Sequence, residues 1–230
     1  MKIRYLGHAA FYLEDGKHRL VIDPFLSGNP NATVKPEDLK VDYVLITHAH
    51  PDHMGDSLEI AEANNATVIS TFEIATYCES QGVAAHSMHI GGSHPFPFGK
   101  VKLTIAHHGC SLPGADGLLT LGPPCGMLIT LGKTTVYHTG DTGLFYDMKL
   151  IGEMTHIDLA LIPIGDNYTM GIDDAVKAVE LLRPALAVPM HYNTFDVIKA
   201  DPEEFARRVG KLGLKAKVLT VGEELTVECR

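Results

Sequence analysis

The stretch VLITHAHPDHMG, residues 44–55, decides the fold, because it ends an apolar run by placing three histidines and an aspartate within six positions. The run itself, residues 41–47 (VDYVLIT), has the continuous apolar character of a strand that is buried on both faces. The side chains that follow it are His48, His50, Asp52 and His53. Neutral imidazole and carboxylate suit Zn²⁺, and they suit Fe²⁺ or Mn²⁺ less strongly. The stretch therefore predicts a metal-binding loop at the end of a buried strand.

The spacing of these four side chains favours two ions over one. His48 and His50 are two residues apart, so they point the same way in an extended chain and can close on one ion. Pro51 then turns the chain, and Asp52 and His53 face a neighbouring point. Two ion positions so close in sequence are typical of hydrolytic sites in which the ions lie about 3.5–4 Å apart. A surface loop that happens to be rich in histidine is the alternative.

Four ligands cannot fill two coordination spheres, so further donors must come from other segments. Three later segments in which a predicted strand leads to potential ligands, TIAHHG, YHTGDTG and VPMHYNTF, offer His107, His108, His138, Asp141 and His191. Unpaired polar groups at the ends of buried strands cost free energy, so core packing explains them poorly. Asp141 follows Gly140, which leaves backbone room for an ion, and its two oxygens could bridge a pair. His138 has the opposite strand parity to Asp141, which favours packing in the core.

The rest of the chain predicts one domain, residues 1–230, made of two similar halves at roughly 1–115 and 116–230. Short strands alternate with helices in both halves, including helices at SLEIAEAN, FEIATYCESQG, IDDAVKAVELLRP and DPEEFARRVGKLG. Strands and helices mixed in this way indicate an α/β fold in which two sheets pack together with helices outside.

Composition limits the partners and the compartment. The formal charge is −9 and no cluster of Lys or Arg interrupts it, which argues against nucleic acid as a partner. No apolar stretch approaches the roughly 20 residues that a membrane span needs, and Glu14 and Asp15 come too early for a secretory signal. The four cysteines show no CxxC spacing. We expect free thiols and a cytoplasmic protein that acts on a small molecule.

The order H-x-H-x-D-H, then His, then G-D-T, then a late His resembles the metallo-β-lactamase superfamily from Ile3 to His191. The flanking segments YLGHAAFYL, IDPFLSGNP, GDTGLFYDMKLIGEM and PIGDNYTMG are similar to a branch of predicted metal-dependent hydrolases that is related to the L-ascorbate-6-phosphate lactonases. This resemblance implies a four-layer αββα sandwich of two mixed sheets, with two divalent metal ions at one edge between the sheets. It is also compatible with a homo-oligomer.

The resemblance assigns the ligands as well. It gives His48, His50 and His108 to one ion and Asp52, His53 and His191 to the other, and it makes Asp141 the bridge. Strand parity with Val101, Leu103 and Ile105 would favour His107, whereas the A-x-H pattern of the family selects His108. We side with the resemblance, because chain direction often changes where a strand ends.

Three further residues are candidates for supporting roles. His8 matches a family position near the metals, so it contacts substrate, supports a ligand or is simply structural. Asp23 could orient a ligating imidazole through its other ring nitrogen, or it could cap a turn. Asn193 sits beside a motif residue and could line the pocket.

These features predict a metal-dependent hydrolase. Two ions that share a water lower its pKa from about 15.7 toward 7, and the resulting hydroxide would attack a small ester, lactone or phosphodiester. Asp52 could orient this nucleophile and shuttle a proton. The alternatives are an iron-dependent redox enzyme on the same scaffold, an RNA or DNA phosphodiesterase, and a non-catalytic metal-binding protein. His50 favours hydrolysis, because the flavin-linked di-iron branch typically has a carboxylate at that position.

Overall fold

The apolar run around Val44 forms a strand that is buried on both faces, as the sequence predicts. In the computed structural model, which describes residues 1–228, this strand spans Tyr43–Leu45. Leu45 points into a core between two sheets, whereas Val44 and Ile46 pack in a second core on the outer side. Because these side chains alternate between two apolar layers, residues 44–46 are all apolar.

Fifteen strands occur in the described residues: β1 (Lys2–Gly7), β2 (Ala10–Glu14), β3 (Arg19–Ile22), β4 (Tyr43–Leu45), β5 (Thr67–Thr71), β6 (Ala85–Met88), β7 (Ser93–Phe96), β8 (Gly99–Ile105), β9 (Ser111–Gly114), β10 (Gly117–Thr120), β11 (Cys125–Leu131), β12 (Thr134–His138), β13 (Leu159–Pro163), β14 (Ala187–Met190) and β15 (Glu224–Thr226). They form a seven-stranded sheet in the order β15-β1-β2-β3-β4-β5-β6, a six-stranded sheet in the order β14-β13-β12-β11-β8-β7, and the hairpin β9–β10.

Both large sheets are mixed, and their pairings follow the same order. In the first sheet β1, β2 and β3 pair antiparallel, and β4 and β5 continue in parallel. In the second sheet β8, β11 and β12 pair antiparallel, and β13 and β14 continue in parallel. The boundary between the sheets differs from residue 115, because residues 93–105 belong to the second sheet and residues 224–226 to the first.

The described residues form six α-helices: α1 (Pro51–Met54), which lies within the histidine-rich loop after β4, and α2 (Ser57–Asn64), α3 (Phe72–Ser80), α4 (Met148–Met154), α5 (Ile172–Leu182) and α6 (Pro202–Lys211). The side chains of α2 and α3 pack on the outer face of the first sheet, and those of α4, α5 and α6 pack on the second. The inner faces of both sheets share a third apolar core. The predicted αββα arrangement is therefore confirmed.

Local sequence explains where the helices begin and end. The Asp201 carboxylate accepts a hydrogen bond of 3.0 Å from the Glu203 backbone N–H, and Pro202 occupies the first turn of α6. Helix α5 carries Asp173 and Asp174 in its first turn, and it ends at Arg183, whose backbone is left-handed. The four helices predicted from the sequence are all present within two residues of their expected ends.

Other elements differ from the sequence-based expectation. Strands β6, β7, β9 and β10 and helices α1 and α4 have no counterpart in the sequence-based prediction, and the predicted closing strands shorten to β15. Cys78, Cys110 and Cys125 are free and buried, whereas Cys229 lies outside the described residues. No helix within residues 1–228 combines the length and the apolar character that crossing a membrane requires.

Candidate metal centre

The chain reverses or turns at one common edge of the two sheets, and this brings the candidate ligands together. From the first sheet come His8 between β1 and β2, Asp23 after β3, and the His48–His53 loop after β4. The second sheet contributes His108 after β8, Asp141 after β12 and His191 after β14. Segments that are far apart in sequence thus meet because strands from both sheets end at this edge.

Three histidines form the first donor group. The Nε2 atom of His48 lies 3.0 Å from Nδ1 of His50, and Nε2 of His108 lies 3.2 Å from the same Nδ1. Two nitrogens that each lie 2.0–2.1 Å from a tetrahedral zinc ion are about 3.3 Å apart. The three ring nitrogens are therefore spaced as the ligands of one ion are spaced.

Asp141 is at the centre of the cluster. Its Oδ2 atom lies 3.0 Å from Nε2 of His191, 3.2 Å from Nε2 of His53, 3.6 Å from Nε2 of His108 and 4.0 Å from Nε2 of His48. One carboxylate oxygen thus contacts histidines of both ligand groups that the family resemblance implies. Among residues 1–228 no other carboxylate lies within 4.0 Å of histidines of both groups, although Asp23 lies 2.8 Å from His53 and within 4.8 Å of His48.

The second donor group consists of Asp52, His53 and His191, with His8 beside it. Oδ2 of Asp52 lies 3.6 Å from Nε2 of His191 and 3.0 Å from Nε2 of His8. His53 and His191 are fully buried, whereas the Asp52 side chain is partly exposed. Asp52 therefore connects the buried donors to the solvent side of the site.

Several polar atoms of the cluster are buried and make no hydrogen bond. They include Nε2 of His53, Nε2 of His191 and Oδ1 of Asp141. A buried polar atom that lacks a partner normally costs about 1–3 kcal/mol, so native proteins rarely keep one without a reason. Imidazole nitrogens and a carboxylate oxygen are donors that a divalent cation takes. The donor set therefore fits a metal ion.

Asp23 sets the tautomers of two of these histidines. Its Oδ2 atom accepts hydrogen bonds from Nδ1 of His53 at 2.8 Å and from the Thr47 hydroxyl at 2.6 Å, while Oδ1 accepts from the Thr47 backbone N–H at 2.8 Å. The Thr47 hydroxyl proton is thus used, so Nδ1–H of His48 donates to Oγ1 of Thr47 at 3.1 Å. In its neutral form each imidazole keeps its proton on Nδ1, so Nε2 is the atom of each ring that a cation would take.

The charges of the cluster shift its pKa values strongly. Burial alone would lower the pKa of His53, but the carboxylates of Asp141 and Asp23 outweigh burial and hold that pKa well above its ordinary value. Burial likewise opposes the carboxylate of Asp141 at His191, where the net effect raises the pKa to about 9. Burial and the neighbouring His53 lower the pKa of His48 well below its usual range.

His8 links Asp52 to the rest of the protein. Its Nε2–H donates to Oδ2 of Asp52 at 3.0 Å, and its Nδ1 accepts from the Thr194 hydroxyl at 2.9 Å. Burial and the neighbouring His191 lower the pKa of His8 to about 4, so the ring is neutral at physiological pH. The rings of Phe25 and Phe195 flank it at 5.6 and 5.5 Å.

The backbone of the site adopts conformations that side chains rarely allow. His8, Asp23 and His191 have φ values of 56°, 44° and 56°. The left-handed region is uncommon outside glycine and costs free energy, and such residues concentrate at functional sites. The His191 N–H donates to the His8 carbonyl at 2.8 Å, which ties the two turns together across the sheets.

A cavity of about 210 Å³ opens above the cluster. It is lined by His50, Pro51, Asp52, His108, Asp141, Tyr168 and His191. The candidate ligands are therefore reachable by a small molecule, as a catalytic metal site requires.

Comparison with known proteins assigns the family. Residues 2–191 match the family described as Beta-lactamase superfamily domain. A UPF0173 metal-dependent hydrolase of Carboxydothermus hydrogenoformans is 50% identical over 223 residues, which cover 97% of this chain and 98% of that protein. The chain belongs to the UPF0173 metal-dependent hydrolases of the metallo-β-lactamase superfamily.

Two further relatives agree with this assignment. A UPF0173 metal-dependent hydrolase of Bacillus licheniformis is 51% identical over 228 residues, covering 98% of this chain and 99% of that protein. Igni18, a metallo hydrolase from the archaeon Ignicoccus hospitalis, has a TM-score of 0.91 at 40% identity and covers 100% of this chain and 99% of its own. The chain is thus a metal-dependent hydrolase, and its histidine and aspartate clusters form the metal site.

Some candidate residues lie outside this UPF0173 cluster. The His107 ring packs edge-on against Phe145 at 5.2 Å, so His108 and not His107 lies in the cluster of candidate ligands. The parity argument for His107 depends on alternation through Ile105, which is 38% exposed and therefore no longer follows the inward alternation of β8. His138 is buried, and its Nε2 donates to the Ala9 carbonyl at 2.9 Å, in agreement with a packing role.

Asn193 stabilises its own loop. Its side-chain N–H donates to the Ala200 carbonyl at 3.1 Å, and its side-chain oxygen accepts from the Ala200 N–H at 3.0 Å. Both the amide nitrogen and the amide oxygen of Asn193 are thus hydrogen-bonded within the loop. Asn193 therefore stabilises the loop and does not line the cavity, contrary to the expectation from the sequence. The neighbouring Thr194 is the residue that touches the site, through His8.

Two contributors to the site give little signal in the sequence. Thr47 connects Asp23 to His48, yet in the sequence it is only the last residue of an apolar run. Tyr168 lines the cavity from the loop after β13, 57 % exposed. Their proximity to motif residues is the one clue that a sequence offers for either.

Proposed function

We propose that this hydrolase holds two divalent ions, with zinc as the first choice and Mn²⁺ or Fe²⁺ as alternatives, and that it hydrolyses a small ester, lactone or phosphodiester. The observation that carries the proposal is the position of Asp141, whose single Oδ2 atom lies within 4.0 Å of histidines from two separate donor groups. A carboxylate between two groups of nitrogen donors is suited to bridging a pair of ions.

Each ion would have its own ligands. His48, His50 and His108 would hold the first ion through the nitrogens described above. Asp52, His53 and His191 would hold the second. Imidazole and carboxylate donors without thiolate fit zinc and other borderline divalent ions.

Bound divalent ions polarise a carbonyl or phosphoryl oxygen and lower the pKa of water. The chain itself supplies orientation and proton handling. The Nε2–H of His8 holds Oδ2 of Asp52, and the Asp52 side chain lines the cavity. Asp52 can therefore accept a proton from an attacking water and return it to the leaving group, as the sequence suggests for this residue.

Metal content and turnover test the proposal together. Protein loaded with zinc should contain about two ions per chain, and it should hydrolyse members of a panel of chromogenic esters, lactones and bis-phosphate esters. Asp141→Ala should lose turnover and at least one ion while it keeps the far-ultraviolet circular dichroism of the parent. His107→Ala is the matched control for His108→Ala, because His107 contacts Phe145 and not the cluster.

The same preparation separates the rival chemistries. A single ion per chain, or full turnover of metal-free protein, contradicts the dinuclear hydrolase. Iron with a visible absorption band after aerobic purification would favour redox chemistry instead. Cleavage of RNA or DNA in preference to small substrates would contradict the small-molecule assignment, against which the charge of −9 already argues. The relation to the ascorbate-6-phosphate lactonases stays a proposal based on sequence motifs.

The free cysteine thiols are the basis on which we propose a cellular compartment. Cys78, Cys110 and Cys125 are buried and free, and burial raises the pKa of each thiol, most strongly that of Cys125. Unpaired buried thiols are typical of reducing environments. They support the proposal that the protein works in the cytoplasm.

A further inference from the structure

We propose that Tyr168 forms the wall against which the uncleaved part of the substrate packs, and that the site takes an uncharged ester or lactone with an apolar substituent. The inference rests on the proposed hydrolytic function and adds to it the class of substrate. Its evidence is the lining of the cavity, the way the Tyr168 loop is held, and the charges around that loop.

The lining leaves few side chains for substrate recognition. Five of the seven residues around the cavity are candidate metal ligands, and the other two are Pro51 and Tyr168. The reacting carbonyl has to approach the ligands, so the remainder of the substrate meets the pyrrolidine ring and the phenol ring. Tyr168 is 57% exposed, which leaves much of its ring available for burial by a ligand. An aromatic ring and a proline bind apolar groups by excluding water.

The Tyr168 loop is held in a fixed relation to Asp141. Asp166 and Asn167 have φ values of 60° and 51°, and the Asp166 N–H donates to the Met170 carbonyl at 3.1 Å, which closes the loop around Tyr168. The Met170 N–H donates to the carbonyl of Thr142, the residue after Asp141, at 3.2 Å. Tyr168 is therefore presented on a braced turn that is anchored beside the bridging carboxylate, and this favours a specific contact.

The charges around this loop disfavour an anionic substituent. Among the described residues that line the cavity there is no Lys or Arg. A second cavity of about 540 Å³, which includes Asp166 of the Tyr168 loop, is lined by four carboxylates and one lysine: Asp166, Asp173, Asp174, Asp201 and Lys199. Arg208 pairs with Asp173, which leaves three of these carboxylates without an arginine partner among residues 1–228. The Lys199 ammonium is paired with the Asp196 carboxylate at 2.7 Å. A phosphate or carboxylate that extended past Tyr168 would meet negative potential, so neutral substituents bind better.

Steady-state kinetics on matched substrates test the inference. With zinc-loaded protein, γ-phenyl-γ-butyrolactone should have a KM at least about 10-fold lower than the lactone that carries a carboxylate on the phenyl ring. Tyr168→Ala should raise the KM of the phenyl lactone about 10-fold and change kcat by less than about threefold, whereas Tyr168→Phe should stay within about twofold of the parent in both. Tyr146→Ala is the control, because Tyr146 is 71% exposed and does not line this cavity.

A binding measurement separates this inference from the proposed function. The corresponding phenyl γ-lactam is not cleaved under assay conditions, and its Kd can be measured by calorimetry with parent and variants at equal metal content. A Kd that rises about 10-fold in Tyr168→Ala, and not in Tyr146→Ala, supports the Tyr168 wall even if no substrate in the panel is turned over. Equal lactam affinity in parent and Tyr168→Ala, or equal KM for neutral and anionic lactones, overturns it.

Discussion

Replacing Asp23 by asparagine changes the hydrogen-bond chemistry behind two metal-binding histidines without changing the size of the side chain. The Asp23 carboxylate only accepts hydrogen bonds, and its three donors are Nδ1 of His53 and the hydroxyl and backbone N–H of Thr47. An asparagine can keep the Thr47 N–H as a partner through its oxygen. Its amide nitrogen then faces two donors in the place of Oδ2. The conflict is relieved if His53 moves its proton from Nδ1 to Nε2 or if the Thr47 hydroxyl turns away.

Either change reduces metal affinity. A proton on Nε2 of His53 blocks the atom that faces Asp141, and a rotated Thr47 hydroxyl no longer fixes Nδ1–H of His48. Loss of such outer contacts typically lowers metal affinity 10- to 100-fold, which corresponds to about 1.4–2.7 kcal/mol. The unpaired buried groups should also lower the free energy of unfolding by about 1–3 kcal/mol.

The assay is competition with a chromogenic chelator, combined with urea unfolding of the metal-free protein. Asp158→Asn is the matched control, because Asp158 is also buried and its Oδ2 accepts the Thr135 backbone N–H at 2.8 Å. Asp158 lies at the opposite end of the second sheet from the candidate metal site. It precedes β13, whereas Asp141 follows β12 and His191 follows β14, and these three strands are parallel. We expect both variants to lose stability and only Asp23→Asn to lose zinc affinity. Unchanged zinc affinity in Asp23→Asn, or an equal loss in Asp158→Asn, would refute the tautomer argument.

Four further predictions address the site and its support. Asp141→Asn should lower the number of zinc ions per chain measured by mass spectrometry, because the side chain proposed to bridge the two ions loses its negative charge. His108→Ala should lower zinc affinity at least about 10-fold in the chelator assay, and His107→Ala should not. With free metal at 100–1,000 times Kd, each bound ion stabilises the fold by about 2.7–4.1 kcal/mol, so its removal by a chelator should lower Tm in calorimetry by about 5–15 °C per ion. Gly140→Ala should lower Tm and zinc affinity, because φ is 63° there and a Cβ would lie 2.6 Å from the Cys125 carbonyl oxygen.

The sequence predicts the strands that lead into the site because their signal is local. Residues 44–46 before His48 are apolar, as is β14 before His191, so the burial of both follows from composition alone. Strand β12 before Asp141 has the sequence TTVYH and gives a weaker signal. The hairpin β9–β10 gives no such signal. Its Leu118 is 76% exposed, so the apolar residues of this segment do not mark an inward face.

Contacts between distant segments set the remaining features of the site. Asp23 and Thr47 are 24 positions apart, and His8 and Thr194 are 186 positions apart, so neither pair can be read from neighbouring residues. The choice between His107 and His108 depends on how the chain leaves β8, which strand parity does not describe. The candidate ligands can be named from sequence because metal chemistry restricts the types and the order of such residues.

The candidate ligands come from both sheets, so the distances between them depend on how the two sheets pack against each other. A substitution in the shared apolar core, such as Ile129→Val, removes one methylene far from any ion, at a usual cost of about 0.5–1.5 kcal/mol. If the sheets slide by a few tenths of an ångström as the core repacks, His48 and His191 move relative to each other, although neither contacts the altered residue. We expect reaction rates to fall before the overall structure fails. Substitutions in the apolar core between the two sheets would then change the reaction rate without any contact with the site.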